Sequence, residues 1–439
     1  MQSTLESLGQ LERRLHVAVP LQQIEGEVDK RLARLAKTVK VPGFRPGHVP
    51  MKMVAQQYGP QVRSDVISDA VQASFNDAVK EQNLRVAGYP RIEPASDKAP
   101  AEGTLEFSAV FEIYPEVSVG DIAGATIDRP KVEITDADID RTVDVLRKQR
   151  AKYHPADDGA RTGDRVKVDF TGSIDGVEFP GGQAKDFDIT VGEGRMLPEF
   201  EAAVAEMKPG ETKTFPLTFP ADYHGKEVAG KQAQFSLTAT SIARPEVPPL
   251  DSAFATAFGI KSGKVEDLRA EVASNLRLEL KRKVESALRD QAMKALREKT
   301  QLALPRSLVE MEASQLARRM AANLQQQGMK PEDIKLSADM FRPQAEERVA
   351  LGLIISELVR TQNLSPRPEQ VKAMVQEIAQ TYEQPEAVVR WHYEKPERLA
   401  DFEAMAVEHN VIEWVLGKAQ VKHVPTSFET LMGPARGQG

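Results

Sequence analysis

Val166-Lys167-Val168-Asp169-Phe170 alternates apolar and polar side chains with a period of two, the pattern of a strand with one buried face. Asp175-Gly176 follows as a hairpin turn, and Pro209-Gly210 marks a second turn before the strand Thr212 to Leu217. Phe235 to Ile242 reads as a closing strand, and one short helix fits, from Pro198 to Met207. The stretch 151–245 is therefore expected to be a small β-rich domain. Aromatic residues make up only 6% of the chain, yet Tyr153, Phe170, Phe179, Phe187, Phe200, Phe215, Phe219, Tyr223 and Phe235 gather here. An ordinary aromatic core is the plain explanation, and a ring-lined pocket is the other.

On the N-terminal side, residues 1–112 read as α+β. Leu15, Val17 and Val19 alternate as a strand; Ile24, Val28, Leu32 and Leu35 share one face of a helix over Leu21 to Lys40. A second helix is expected over Val62 to Glu81, and a strand over Leu105 to Ile113. Between the helices lies Gly43-Phe44-Arg45-Pro46-Gly47-His48-Val49-Pro50. Pro42, Pro46 and Pro50 fix their own φ and restrict the residue before them, while Gly43 and Gly47 permit turns that other residues resist. The loop is expected to be stiff and to present Phe44 and Arg45, the pairing enriched at interface hot spots. Lys30, Arg31, Arg34, Lys37, Lys40, Arg45 and Lys52 surround it with no acidic residue between Lys30 and Lys52, although the whole chain carries a net charge of −7. That points to a local dock for a polyanion. A proline-rich connection beside a solvated basic helix is the alternative.

On the other side, a connector at 113–150 includes an extended run, Ile127 to Ile134, and a helix opened by Thr135 and Asp136. Beyond Pro245-Glu246-Val247-Pro248-Pro249, residues 246–432 are helical nearly throughout, and 433–439 form a tail expected to be disordered. Val265, Leu268, Val272, Leu276, Leu280, Val284, Leu288 and Leu296 fit one long helix; Pro305, Pro368, Pro385 and Pro396 sit where later helices begin. Met311, Leu316, Met320 and Leu324 make an apolar stripe, which is either packing or an adaptable surface for varied partners.

Length and composition exclude several classes. At 439 residues the chain needs more than one core. With no cysteine it has no disulfides, thiolate metal sites or cysteine catalysis. Its acidic balance argues against a general nucleic-acid coat. Met1 to Val19 lacks the apolar run of a signal peptide and no window approaches a membrane span, so a cytoplasmic protein with no membrane partner is expected. Gly192-Glu193-Gly194 lacks the third glycine of a dinucleotide site, and the seven histidines show no metal-ligand spacing. Neither cofactor nor metal is called for.

Two resemblances follow from the motifs. Val168-Asp169-Phe170-Thr171-Gly172, Gly176 to Phe179, Gly192 to Glu201 and Phe219-Pro220 to Tyr223-His224 resemble, in order and spacing, the FK506-binding-protein class of peptidyl-prolyl isomerases. Gly43-Phe44-Arg45-Pro46-Gly47 with Pro50, after a basic helix, resembles the ribosome-docking signature of bacterial trigger factor, which holds an isomerase of that class in its middle. The resemblance covers essentially the whole chain in the same domain order. It implies a multidomain α+β protein: an N-terminal ribosome-docking domain, an FKBP-like domain, and an all-α chaperone domain with helical arms near 305–327 and 338–362. It further implies a pocket lined by Phe170, Phe179, Phe187, Met196, Leu197, Phe200, Phe219 and Phe235, with Tyr223 and His224 on its rim. Docking falls to Gly43, Phe44, Arg45, Pro46 and Gly47 with Lys37 and Lys40, against a ribosomal protein and rRNA of the large subunit near the exit tunnel. Nascent and unfolded chains would meet Met311, Leu316, Met320 and Leu324. Two pocket positions and one dock position depart from the usual pattern: Pro180 stands where an acidic residue is common, Glu199 where glycine is, and Pro46 where lysine is.

The expected function is an ATP-independent, ribosome-associated chaperone that isomerises Xaa-Pro bonds, serving folding and possible export, with a homodimer of the free protein left open. The rivals are a free-standing prolyl isomerase and a ribosome-assembly adaptor whose isomerase fold is inactive.

Overall fold

The structure is a computed structural model that describes residues 2–39, 44, 49–94, 103–223, 225, 227–331, 335–380 and 382–433. It forms two compact units, one of Met1–Asp128 with Ala287–Lys422, the other of Arg129–Ser286 with His423–Gly439. The chain begins with β1 (Gln2–Ser7), β2 (Glu12–Pro20), helices α1 (Leu21–Thr38) and α2 (Met51–Glu81), β3 (Val86–Pro94) and β4 (Thr104–Ile113). The strands make an antiparallel sheet in the order β1-β2-β4-β3. Alternation in β2 and β4 buries Leu15, Val17 and Val19 with Phe107, Ala109 and Phe111 against Ile24, Val66 and Phe75 of the two helices. Leu15 lies opposite Ala109 and Val17 opposite Phe107, so a slip of one residue would turn Arg14 and His16 into the core. α2 starts eleven residues before the expected Val62 and runs through Pro60, which is exposed.

The second unit starts within β5 (Thr126–Lys131) and continues with α3 (Asp136–Gln149), whose capping box pairs Thr135 with Asp138. Next come β6 (Lys152–Pro155), β7 (Arg165–Ile174), β8 (Val177–Thr190), α4 (Pro198–Val204), β9 (Thr212–Thr218) and β10 (Gln232–Glu246). The sheet runs β6-β10-β7-β8, with β9 also on β10. Asp175 and Gly176 both take positive φ, 51° and 82°, as a two-residue type I′ turn requires. α4 stops at Val204, three residues before the expected Met207, because Ala205 is extended and Glu206 left-handed, which returns Met207 to the core. Asp164, 2% exposed, accepts hydrogen bonds from the backbone N–H of Arg161 at 3.0 Å and from Arg244 Nη2 at 2.9 Å, fastening this loop to β10.

After α5 (Ser252–Ala257) the long helix is α6 (Val265–Lys299), whose start packs Leu268, Val272 and Leu276 against Ile139, Val143 and Phe254. The remaining helices are α7 (Arg306–Gln326), α8 (Arg342–Gln362), α9 (Pro368–Ala379), α10 (Pro385–Tyr393) and α11 (Ala400–Lys418), with 3-10 turns at Ala338–Phe341 and Pro396–Leu399. β11 (Gln420–Pro425) pairs with β5, and α12 (Phe428–Met432) brings Phe428 to the α3–α6 core. Of the expected tail, 434–439 lies outside the described residues. Glu112 at the end of β4 caps α7: its carboxylate accepts from the N–H of Arg306 at 3.0 Å and of Ser307 at 2.7 Å, and from the Ser307 hydroxyl at 2.7 Å. No described helix is long and apolar enough to cross a membrane.

Candidate active site and docking surfaces

Phe235 of β10 is the hub of the aromatic cluster. Its ring centroid lies between 5.7 and 6.3 Å from those of Phe170, Phe179, Phe200, Phe215 and Phe219. Strand register brings these together: Phe235 is opposite Gly172 on β7 and Phe215 on β9. A Cβ at Gly172 would fall 2.6 Å from the Phe235 ring, so glycine lets the ring lie across β7. Gly182 does the same for Phe179, whose ring a Cβ there would approach to 2.8 Å. A register shift between Val168 and Phe170 bends β8; Asp186 takes a φ of 51° and donates its N–H to Asp169 Oδ1 at 2.8 Å. The bulge places Phe187 edge-on to Phe170 at 5.8 Å with 40% of its surface exposed.

Leu197 is the N-cap of α4 and Pro198 its first residue, which sets Phe200 into the core at 2% exposure. Met196 and Leu197 pack half-buried against the same cluster. Phe219 meets the half-buried Tyr223 at 4.8 Å. His224 lies outside the described residues; Glu199 is exposed. Of the rim and lining residues expected from the sequence, the structure thus brings together Phe170, Phe179, Phe187, Met196, Leu197, Phe200, Phe219, Tyr223 and Phe235. Tyr223 alone among them carries a hydroxyl, and none is a base or a nucleophile.

Such a surface suits one kind of chemistry. Rotation about an Xaa-Pro bond meets a barrier of ~18–20 kcal/mol because twisting breaks amide resonance. The twisted amide has less charge separation than the planar one, so apolar walls favour the transition state over the ground state.

Of the expected docking loop, part lies among the described residues. Phe44 is 39% exposed and Lys37, in the last turn of α1, is exposed; Lys40, Gly43, Arg45, Pro46 and Gly47 lie outside the described residues. Val39 and Val49, the residues flanking 40–48, pack into one cluster with Leu32, Val54 and Tyr58. The charge count overstates the dock, because Arg31 is spoken for by Asp69 of α2 at 2.7 Å and Lys30 lies 3.5 Å from Glu27. Asp69, on another helix, was not visible in the linear pattern, whereas Glu27 lies three residues before Lys30 on the same helix.

The α7 stripe divides. Met311 and Met320 are exposed, 47% and 42%, and Leu324 is half-buried. Leu316 is buried with Val309, Ala313 and Ala345 between α7 and α8, which removes it from any exposed surface. Met311 instead lines a cleft of about 390 Å³ with Leu308, Val349, Leu353, Arg85 and Tyr114. Among the described residues no cluster of side chains could hold a metal ion.

Three family profiles match the chain. One described as bacterial trigger factor protein covers residues 1–146, one as FKBP-type peptidyl-prolyl cis-trans isomerase covers 157–240, and one as the bacterial trigger factor C-terminus covers 264–417. Trigger factor of Laribacter hongkongensis is 50% identical over 436 residues, spanning 99% of this chain and 100% of that protein. The chain belongs to the trigger factor family. Trigger factor of Aromatoleum aromaticum is 49% identical over 435 residues, again 99% of this chain and 100% of the relative. A solved structure entitled "Promiscuous Substrate Recognition in Folding and Assembly Activities of the Trigger Factor Chaperone" aligns with 95% of this chain and 99% of its own at 17% identity and a TM-score of 0.46. The expected fold class is borne out: a trigger-factor N-terminal region, an FKBP-type isomerase domain and a helical C-terminal region. As a family member the protein is a chaperone that carries a prolyl isomerase domain.

Proposed function

We propose that this chain shelters nascent polypeptides beside the large ribosomal subunit, near the exit tunnel, and isomerises their Xaa-Pro bonds in the pocket around Phe235. The observation that carries the reading is the ring cluster itself, five aromatic side chains within 6.3 Å of Phe235 with Tyr223 beside Phe219. Phe170, Phe179, Phe187, Met196, Leu197, Phe200, Phe219 and Phe235 act as lining, and Tyr223 offers its hydroxyl to a substrate carbonyl. Docking belongs to residues 1–112 through Phe44 and Arg45, isomerisation to 151–245, and holding to 246–432 through exposed methionines such as Met311 and Met320. Binding is passive and needs no ATP, the setting is cytoplasmic, and exposed apolar surface favours a dimer when the protein is free.

A refolding assay limited by proline isomerisation tests the pocket: the wild type accelerates the slow phase, and Phe200→Ala and Tyr223→Ala reduce that acceleration. Cosedimentation with ribosomes tests the dock. A chain that sediments but does not catalyse would be an adaptor with a silent isomerase fold, and the reverse would leave a free-standing isomerase.

A further inference from the structure

β9 presents two side chains, Lys213 and Phe215, to which the reading above assigns no role of their own. Thr212, Thr214 and Pro216 are exposed, while the alternate residues Lys213 and Phe215 are half-buried on the side of α4. α4 has seven residues, too few to hold a helix in water by itself, yet it carries Phe200. Lys213 Nζ donates to the carbonyls of Ala203 at 3.3 Å and Ala205 at 3.2 Å, where the helix has run out of its own donors. Phe215 stands edge-on to Phe200, with centroids 5.7 Å apart and planes at 81°. It also stacks on Phe235 at 6.1 Å with only 21° between the rings, whereas Phe170, Phe179, Phe200 and Phe219 cross Phe235 at 53° to 83°.

We infer that Phe215 is a positioning residue for prolyl isomerisation: it fixes the plane of Phe235 and the seat of Phe200 without reaching the substrate. A near-parallel neighbour limits rotation of the Phe235 ring, and an edge contact sets how deeply Phe200 enters the cluster. Lys213 complements this by tethering the far end of α4. The placement matters because dispersion contacts decay steeply with distance, so an apolar wall that shifts loses its preference for the twisted amide. The inference rests on the reading of this cluster as the isomerase pocket.

The test uses the full chain with Phe215→Leu, which keeps an apolar group of similar reach but has no plane to stack, and Phe215→Tyr, which restores the ring. Phe215→Leu is expected to lower kcat on a prolyl peptide about tenfold, short of the ~100-fold that a 1 Å misplacement can cost. KM should stay within about twofold, as when an interaction specific to the transition state is lost. Phe215→Tyr is expected to recover most of the rate. Equal rates for wild type and Phe215→Leu would overturn the inference, as would equal losses in the Leu and Tyr variants, which would mark a volume effect. Should Phe215→Leu fail to fold, Phe215→Met serves under the same criteria. A wild type without catalysis would overturn the isomerase reading itself, and this inference with it.

Discussion

At the scale of single residues, the aromatic cluster is made as much by absent side chains as by present ones. Gly172 takes no unusual turn, yet a Cβ there would sit 2.6 Å from Phe235 Cε1 and 2.8 Å from its Cζ. Gly172→Ala should therefore push the central ring aside, destabilising the domain by about 1–3 kcal/mol as overpacking does. A lower melting temperature together with slower catalysis of a proline-limited refolding would bear this out; unchanged values for both would show that the ring has room to yield. Phe200→Ala works by the opposite route, leaving a cavity that costs about 3–5 kcal/mol. The rings themselves were legible in the sequence because their order and spacing matched a known pattern. The glycine's reason was not, since Gly172 and Phe235 are 63 positions apart in the chain and meet only through strand register. Leu316 shows the converse: a stripe along a helix gives the direction of its side chains, but only the partner α8 tells which of them is covered.

At the scale of elements, caps and joints decide what holds. α3 was expected to open at Thr135 and Asp136, and it does, but the carboxylate that closes the capping box is that of Asp138. Burial favours the neutral form of Asp138, yet hydrogen bonds from the Thr135 hydroxyl and N–H and from Arg141 outweigh it and hold its carboxyl below the ordinary range. The sign follows: the folded form binds this proton more weakly than the unfolded chain, so the stabilisation is complete above the unfolded pKa near 4 and is lost as pH falls through the folded one. Asp138→Asn should flatten the acid limb of a stability curve below pH 4, and Thr135→Ala should cost about 0.5–2 kcal/mol at neutral pH. An unaltered acid limb in Asp138→Asn would assign that slope to other carboxylates. α2 begins at Met51 after Pro50, ahead of the expected Val62, because the helix carries Pro60 inside it at an exposed position. The joint between β4 and α7 had no linear signal at all. Glu112 and Ser307 are 195 positions apart, and Gly88, with a φ of 76°, leaves room for a Ser307 side chain that a Cβ would meet at 2.6 Å. Glu112→Ala would strand two backbone donors, while the Ser307 hydroxyl keeps the Ala87 carbonyl at 3.0 Å, which predicts a loss of about 1–3 kcal/mol and faster hydrogen exchange at the first turn of α7.

At the scale of the whole molecule, the order of parts was legible and their grouping was not. The N-terminal sheet and the helices after Ala287 belong to one compact unit although the isomerase domain lies between them in the chain. Phe44 belongs to that first unit and the Phe235 cluster to the second. Residues with no shared partners act independently, so the two activities should be separable. Phe44→Ala/Arg45→Ala is expected to abolish cosedimentation with ribosomes while leaving catalysis of proline-limited refolding at the wild-type rate. Phe200→Ala is expected to do the reverse. Salt sharpens the first arm: if Arg45 faces phosphate, removing it should reduce the slope of log affinity against log salt by about one. Arg34, Lys37 and Lys52 make no ion pair among the described residues, so each has a charge to contribute, whereas Arg31 is held by Asp69 and Arg31→Ala should change the slope little. A slope that falls as far for Arg31→Ala as for Lys37→Ala would mean that the Asp69 pair opens on docking. Loss of both activities in either variant would mean that the two units do not work apart.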